Sequence, residues 1–421
     1  MTAEAPEAAA AWVTPMSATG EGVKATRPGS KPGGHPARID QIDSLRAFAM
    51  SAVVAEHCKI LPFGWMGVWL FFVISGFVVT TSLLARPKEE GPTSLLTHFY
   101  ARRAARIWPI YLTYVVIGLV VSALIDGHFA WPAFASFMLF YNNFQMAFGS
   151  GAFAGAFKGF PSAHLWTISV EFQFYIVFGL AFAFLPRRAV VGLMAAFLLL
   201  SPLLRFIGGE WLRAAGYAPL NAAYAIYSFS LMHFDSFAAG ALLAFGRAQW
   251  VRPQRARLLL AAGALAMAAY VGVYVGVNHA HGATGLRLFR QIISGILFGD
   301  QRQVWAYCAV TALSTGILAV TLAGEKAWMM IVGNRALQAV GRVSYGGYVY
   351  HALCILLTGR LLNLVIAPGR GMAAKLEFGA GHFVLALSAT IALALLSYRY
   401  VERPIISGIG RRLAPVQQVA A

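Results

Sequence analysis

The sequence predicts an all-α protein, a polytopic transmembrane helical bundle of about ten helices. Three observations carry that expectation. Of the 421 residues 59% are hydrophobic and only 12% are charged, with a mean hydropathy of +0.65. An average soluble chain is about half apolar and about a quarter charged. The apolar residues gather in runs that can cross a bilayer, which takes about 20 residues each. Lysine and arginine are shared unevenly between the intervening segments, as they are when alternate loops face the cytoplasm.

Taken in order, residues 1–37 are rich in Ala, Pro and Gly and hold no apolar run. They are expected to form a disordered cytoplasmic tail without the apolar region of a secretory signal. The membrane domain follows over 38–406, and 407–421 is a cytoplasmic C-terminal tail. Spans are expected near 42–60, 66–85, 107–125, 163–185, 187–204, 226–246, 257–277, 304–323, 341–362 and 380–400. Trp131 to Phe148 is apolar but short and aromatic, so it reads as interfacial or re-entrant rather than spanning. The Gly-rich FGSGAFAGAFKGF segment that begins at Phe148 is a flexible loop. With the N-terminus inside, about 22 Lys and Arg fall on cytoplasmic segments and about 10 on the other side. Both termini are then cytoplasmic.

A formal charge of +17 and a pI near 10.1 could suggest nucleic acid. Basic residues in membrane proteins accumulate in cytoplasmic loops, and no basic run here is interleaved with aromatics in a soluble module, so no nucleic-acid partner is expected. Cys58, Cys308 and Cys354 lie in or beside apolar spans. An odd number without close spacing predicts neither a disulfide framework nor a zinc site.

The first span reads IDSLRAFAMSAVVAEHCKI. Arg46 and His57, eleven residues apart, fall within about 20° on one helical face and about 16 Å apart along the axis. Asp43 joins that face. Ionisable groups inside a span are costly and usually face a cavity or a partner. An Arg–Asp pair at the helix start with a hydrogen-bonded histidine also fits these residues. In GWMGVWLFFVISGFVVT, Gly64, Gly67 and Gly76 predict close backbone approach to a neighbour, and Ser75 lacks a nucleophile-elbow context.

The segment entering the third span, HFYARRAARIWPIY, places Arg103 and Arg106 on one helical face, with Pro109 expected in the first turn of the span. Two guanidinium groups suit bidentate recognition of phosphate, and a lipid-headgroup anchor fits equally. In HLWTISVEFQFY, His164 and Glu171 share a face and Tyr175 follows Glu171 at i+4. A carboxylate so placed implies a polar cavity. Later spans carry His233 and Asp235, then Tyr345 and His351, and Glu402 in YRYVERP is placed to pair with cytoplasmic arginines. No HExxH, GxGxxG or Walker pattern occurs, so neither a metal nor a nucleotide hydride carrier is expected.

These motifs resemble the membrane acyltransferase-3 family, which includes bacterial O-antigen and exopolysaccharide O-acetylases. The match runs from about Asp40 to Pro404. It comprises Arg46 and His57 in span one, FFVISGF from Phe71 to Phe77, the Arg103–Arg106 pair, HLWTISVEFQFY and SYRYVERP from Ser397. The chain departs from the family pattern at Phe172, where a second acid is usual, and at His233, where an arginine usually precedes Asp235 by two residues. The resemblance implies ten spans in a bacterial inner membrane and acyl-CoA, commonly acetyl-CoA, as donor substrate, with no permanently bound cofactor. It implies that His57 is the essential base and that Arg46, Arg103 and Arg106 support donor binding. Together with the buried carboxylate, the candidate catalytic residues are His57, Arg46 and Glu171, and the candidate donor-binding residues are Arg103 and Arg106.

The acceptor that the resemblance implies is a glycan or lipid-linked saccharide, reached in contact with membrane lipid. Acylation of a small secondary metabolite is a second reading within the family. A proton-coupled transporter is a third, from another class, but such folds carry matched halves with broken helices. The motifs here cluster in the first four spans instead.

Overall fold

A computed structural model describes residues 39–86, 91–149, 156–366 and 372–412. The N-terminal tail expected over 1–37, part of the Gly-rich loop and the last residues of the C-terminal tail lie outside the described residues. Within them the chain is mostly helical, with no strand.

The helices are α1 (Asp40–His57), α2 (Met66–Leu84), α3 (Pro92–Asp126), α4 (Trp131–Met138), α5 (Asn142–Phe148), α6 (Trp166–Phe184) and α7 (Arg187–Ala214). Then come α8 (Pro219–Ser228), α9 (Phe234–Phe245), α10 (Arg247–Trp250), α11 (Pro253–Ala280), α12 (Arg302–Ala323) and α13 (Lys326–Val332). The chain closes with α14 (Arg335–Arg342), α15 (Ser344–Val365), α16 (Met372–Ser397) and α17 (Arg403–Arg412), the last crossing the expected 406/407 boundary.

Among the described residues eight helical segments are long and apolar enough to cross a membrane, against the about ten spans expected. The difference lies in α1 and α9. α1 has 18 residues but opens with Asp40, Asp43 and Arg46. α9 has only 12 residues and buries ten of them, from Phe234 to Ala244. The outer surface is apolar where lipid would meet it: Leu124 on α3, Leu199 on α7, Leu265 on α11 and Leu364 on α15 are exposed. In water such surface would be a liability; in a bilayer it is the required solvent match.

α2 is the central helix, with 13 of its 19 residues buried. It packs on α9 through a pair of glycines. A Cβ on Gly76 would stand 1.9 Å from the Phe237 carbonyl oxygen, and one on Gly240 would stand 1.9 Å from that of Val73. Backbone therefore meets backbone, the small-residue contact that membrane helices use in place of a hydrophobic driving force. Gly64 and Gly67 make the same approach to α1, at 2.0 Å from the Ala52 oxygen and 2.4 Å from that of Ala49. Around this axis the core is aromatic: Trp69 stacks on Tyr307 at 4.7 Å, and Phe237 stacks on both Phe72 and Phe174 at 4.5 Å.

Two local features differ from the sequence reading, and a third adds detail to it. The segment before the third span is part of the same helix: α3 has 35 residues, so Pro109 sits in its interior instead of its first turn. Trp131 to Phe148 divides into α4 and α5, broken at Phe140, whose φ of 53° no helix accommodates. α7 does not end near Leu204. It continues through Arg205 to Ala214, because Val190, Met194, Phe197, Ser201, Arg205, Gly209 and Leu212 recur at three- and four-residue intervals and bury one face.

Candidate active site

Two chambers lie along α1. The first is lined by Arg46 of α1, Ser75 of α2, Arg103 and Arg106 of α3, Glu171 and Tyr175 of α6, and Ser344, Tyr345 and Tyr348 of α15. It encloses about 750 Å³ of space that is partly open to solvent. The pitch of α3 brings Arg103 and Arg106 to one side, as the i,i+3 spacing required. Arg46 is held near its own helix start by Asp43, with Nη1 and Oδ1 3.5 Å apart. Arg103 lies over the Tyr175 ring at 5.4 Å, an orientation in which the ring's negative face meets the cation.

Glu171 is satisfied by hydroxyl groups. The hydroxyls of Ser75 and Tyr175 both donate to its Oε1, and those two hydroxyls are 2.6 Å from each other. The Tyr345 hydroxyl donates to the Ile107 carbonyl at 2.9 Å and ties α15 to α3 beside the arginines. Three guanidinium groups and one carboxylate thus share a single cavity. Its net charge is positive, which suits an anionic ligand with several phosphates.

The second chamber holds His57 at the exposed end of α1, with Glu56, Trp65, His164, Trp166, Tyr224 and Tyr227. It encloses about 820 Å³, also partly open. The His57 ring lies 5.4 Å from that of His351, which lies 4.7 Å from that of His164. His351 is buried, its Nδ1 donating to the Tyr348 carbonyl at 2.5 Å, and His164 Nε2 lies 3.0 Å from the Val349 carbonyl. These bonds fix the tautomers: the second nitrogens, His351 Nε2 and His164 Nδ1, have no hydrogen-bond partner.

Along its length the chain matches the acyltransferase domain family over residues 39–399. It belongs to the acyltransferase-3 family. Among curated relatives of this acyltransferase domain, the peptidoglycan O-acetyltransferase OatA of Listeria monocytogenes is 26% identical over 381 residues, covering 87% of this chain and 56% of its own. The O-acetyltransferase OatA of Staphylococcus aureus is 23% identical over 387 residues, covering 88% and 57%. The chain therefore spans little more than half the length of these relatives. No solved structure matches it.

Of the residues singled out in the acyltransferase sequence, Arg46, Arg103, Arg106 and Glu171 meet in the first chamber. His57 does not join them; it lines the second. Phe172, at the departure from the family pattern, stacks on Phe140 at 4.1 Å and is a packing residue here. His233 likewise has a structural contact, its Nε2 2.9 Å from the Tyr227 carbonyl. Glu402 is buried, and its Oε1 has no hydrogen-bond partner, so the arginine pairing expected for it is not made through that oxygen. Sequence reasoning missed Tyr348, which lines both chambers. Its signal was present in SYGGYVYH, where Tyr345, Tyr348 and His351 are spaced three apart on one helical face. It also missed Arg205, which follows the apolar run of the expected fifth span and lies within α7.

Proposed function

We propose that the protein is an integral-membrane O-acyltransferase that moves an acyl group, most simply acetyl, from acyl-CoA to a hydroxyl of a cell-surface or lipid-linked glycan. The observation that carries this reading is the distribution of charge along α1. A cluster of three arginines fills one chamber, and a histidine at the opposite end of the same helix lines another. The relatives named for O-acetyl transfer, one of them to peptidoglycan, support the acceptor class.

In this reading the phosphates of CoA rest on Arg103 and Arg106, with Arg46 deeper along the path, and the thioester arm extends toward His57. His57 takes the proton from the acceptor hydroxyl as its oxygen attacks the thioester carbonyl. The carbon–sulfur bond then breaks, and the leaving thiolate takes the proton back from the imidazolium. A neutral histidine suits the task because its ordinary pKa lies close to neutrality. CoA is charged and cannot cross hydrocarbon, so the donor enters from the cytoplasmic side and the acceptor from the other. The bacterial inner membrane, with both termini in the cytoplasm, is the setting this requires.

The test is release of free thiol from acetyl-CoA by the purified full chain, with and without a glycan acceptor. His57→Ala is expected to abolish turnover while the protein still elutes as a folded species. Turnover that survives in His57→Ala would remove the base from the reading. In sealed vesicles of known sidedness, transfer should require acyl-CoA on the cytoplasmic face and glycan on the opposite one. Transfer only when both substrates share the cytoplasmic face would overturn the two-sided arrangement.

A further inference from the structure

The two chambers adjoin, and Val68 and Tyr348 line both. The Tyr348 hydroxyl stands between their walls. It accepts a hydrogen bond from Thr167 Oγ1 at 2.9 Å and donates one to the His164 carbonyl at 3.3 Å. Thr167 belongs to the arginine chamber and His164 to the His57 chamber. The ring is buried, edge-on to Phe71 at 5.9 Å and tilted against His351 at 5.2 Å. Val68 belongs to α2, which meets α1 at Gly67 and α9 at Gly76 backbone on backbone. Of the two shared residues, Tyr348 is the one held in place by side-chain hydrogen bonds.

We propose that Tyr348 is the valve between the chambers, latched shut by its two hydrogen bonds, and that its ring sets the size of acyl group that passes to His57. The passage of an acyl thioester rests on the transfer reading above; the closure of the wall does not. A closed wall keeps water in the His57 chamber from a waiting thioester and leaves no continuous aqueous path across the membrane. The latch is reversible because each hydrogen bond contributes little net free energy, and the bond to the His164 carbonyl is long.

The experiment reads access rather than catalysis first. Ala163 lines the His57 chamber and is half-buried. Ala163→Cys is made in a full-length chain whose Cys58, Cys308 and Cys354 are replaced by alanine, and sealed vesicles of both orientations are treated with a membrane-impermeant maleimide. With Tyr348 present, labelling is expected from one face only. Tyr348→Phe removes both hydrogen bonds but keeps the ring, so labelling from the second face should rise about tenfold. Tyr348→Ala should be labelled freely from both faces, and Val68→Ala, which spares the tyrosine, should open the same path. Single-sided labelling at the unmodified rate in all three variants, each eluting as a folded species, overturns the valve. Labelling from both faces with Val68 and Tyr348 both unmodified overturns it as well.

Acyl-CoA separates the proposal from the reading beneath it. Tyr348→Ala should hydrolyse acetyl-CoA without acceptor and accept longer acyl chains than the parent protein. If labelling opens as expected while donor range stays fixed, the size-selecting role is overturned. If labelling opens and neither the parent protein nor any variant consumes acyl-CoA, the valve stands and the transfer reading fails.

Discussion

Arg205 of α7 and Asp235 of α9 form a buried ion pair, with Nη2 and Oδ2 2.7 Å apart and the two side chains 0% and 3% exposed. Arg205 Nη1 also donates to the Met232 carbonyl at 2.5 Å, and Cys308 Sγ lies 3.3 Å from Nη2. Asp235 thus has its guanidinium partner on another helix, while His233 contacts the Tyr227 carbonyl. Removing one partner of such a pair leaves an uncompensated charge. Arg205→Ala or Asp235→Ala should therefore destabilise the protein by about 3–5 kcal/mol. The double replacement Arg205→Met with Asp235→Leu should recover most of that loss, as read by thermal unfolding in detergent.

The residues that matter for this pair were legible only in part. The strong apolar runs give the long helices directly, because a bilayer leaves the backbone no partner but itself. The expected fifth span stops at 204, although the buried face of α7 continues in helical register through Arg205, Gly209 and Leu212. α9 was legible as apolar but not as short, since hydropathy does not separate a buried 12-residue helix from a span. The site shows the same division. Spacing alone put Arg103 and Arg106 on one side, and Arg46 and His57 on one face of α1. That the last two line different chambers is not visible in their spacing, because the walls come from other helices, with Val68 of α2 and Tyr348 of α15 lining both.

The α2–α9 contact makes a prediction of opposite sign to the usual effect of alanine in a helix. Gly76→Ala and Gly240→Ala each force a methyl against a carbonyl oxygen, and each should cost about 3 kcal/mol, the upper end of ordinary overpacking. Gly192, on α7, has nothing within 4 Å of a built Cβ. Gly192→Ala should stabilise by about 0.5–1 kcal/mol through helix propensity alone. Thermal unfolding of the three variants side by side checks both signs.

Phe172 gives a test of whether the departure from the family pattern is structural. Phe172→Glu restores the usual acid but replaces the stack on Phe140 with a carboxylate. The lost burial and ring contact should destabilise by about 2–4 kcal/mol. No gain in thiol release is expected, because Glu171 already has the hydroxyl partners of the cavity. Faster turnover in Phe172→Glu would contradict this assignment.

The arginine pair is tested through the donor. Under the proposed function, Arg103→Ala or Arg106→Ala should raise the apparent KM for acyl-CoA about tenfold or more, the equivalent of one lost hydrogen bond between charged groups. Lysine at either position should restore the charge but not the bidentate geometry, and so recover only part of the loss. An unchanged KM in both alanine variants would make the pair a lipid-facing anchor.

The glycine contact between α2 and α9 also has a mechanical consequence. A helix seated backbone on backbone has no layer of side chains to slide over, so α2 is a stiff post in the wall that Val68 shares with both chambers. Movements of whole helices take microseconds to milliseconds, whereas single side chains reorient far faster. Opening that is confined to a ring need not displace lipid. Turnover should then be indifferent to bilayer thickness and fluidity, in contrast to membrane proteins whose cycles rock one half of the fold against the other.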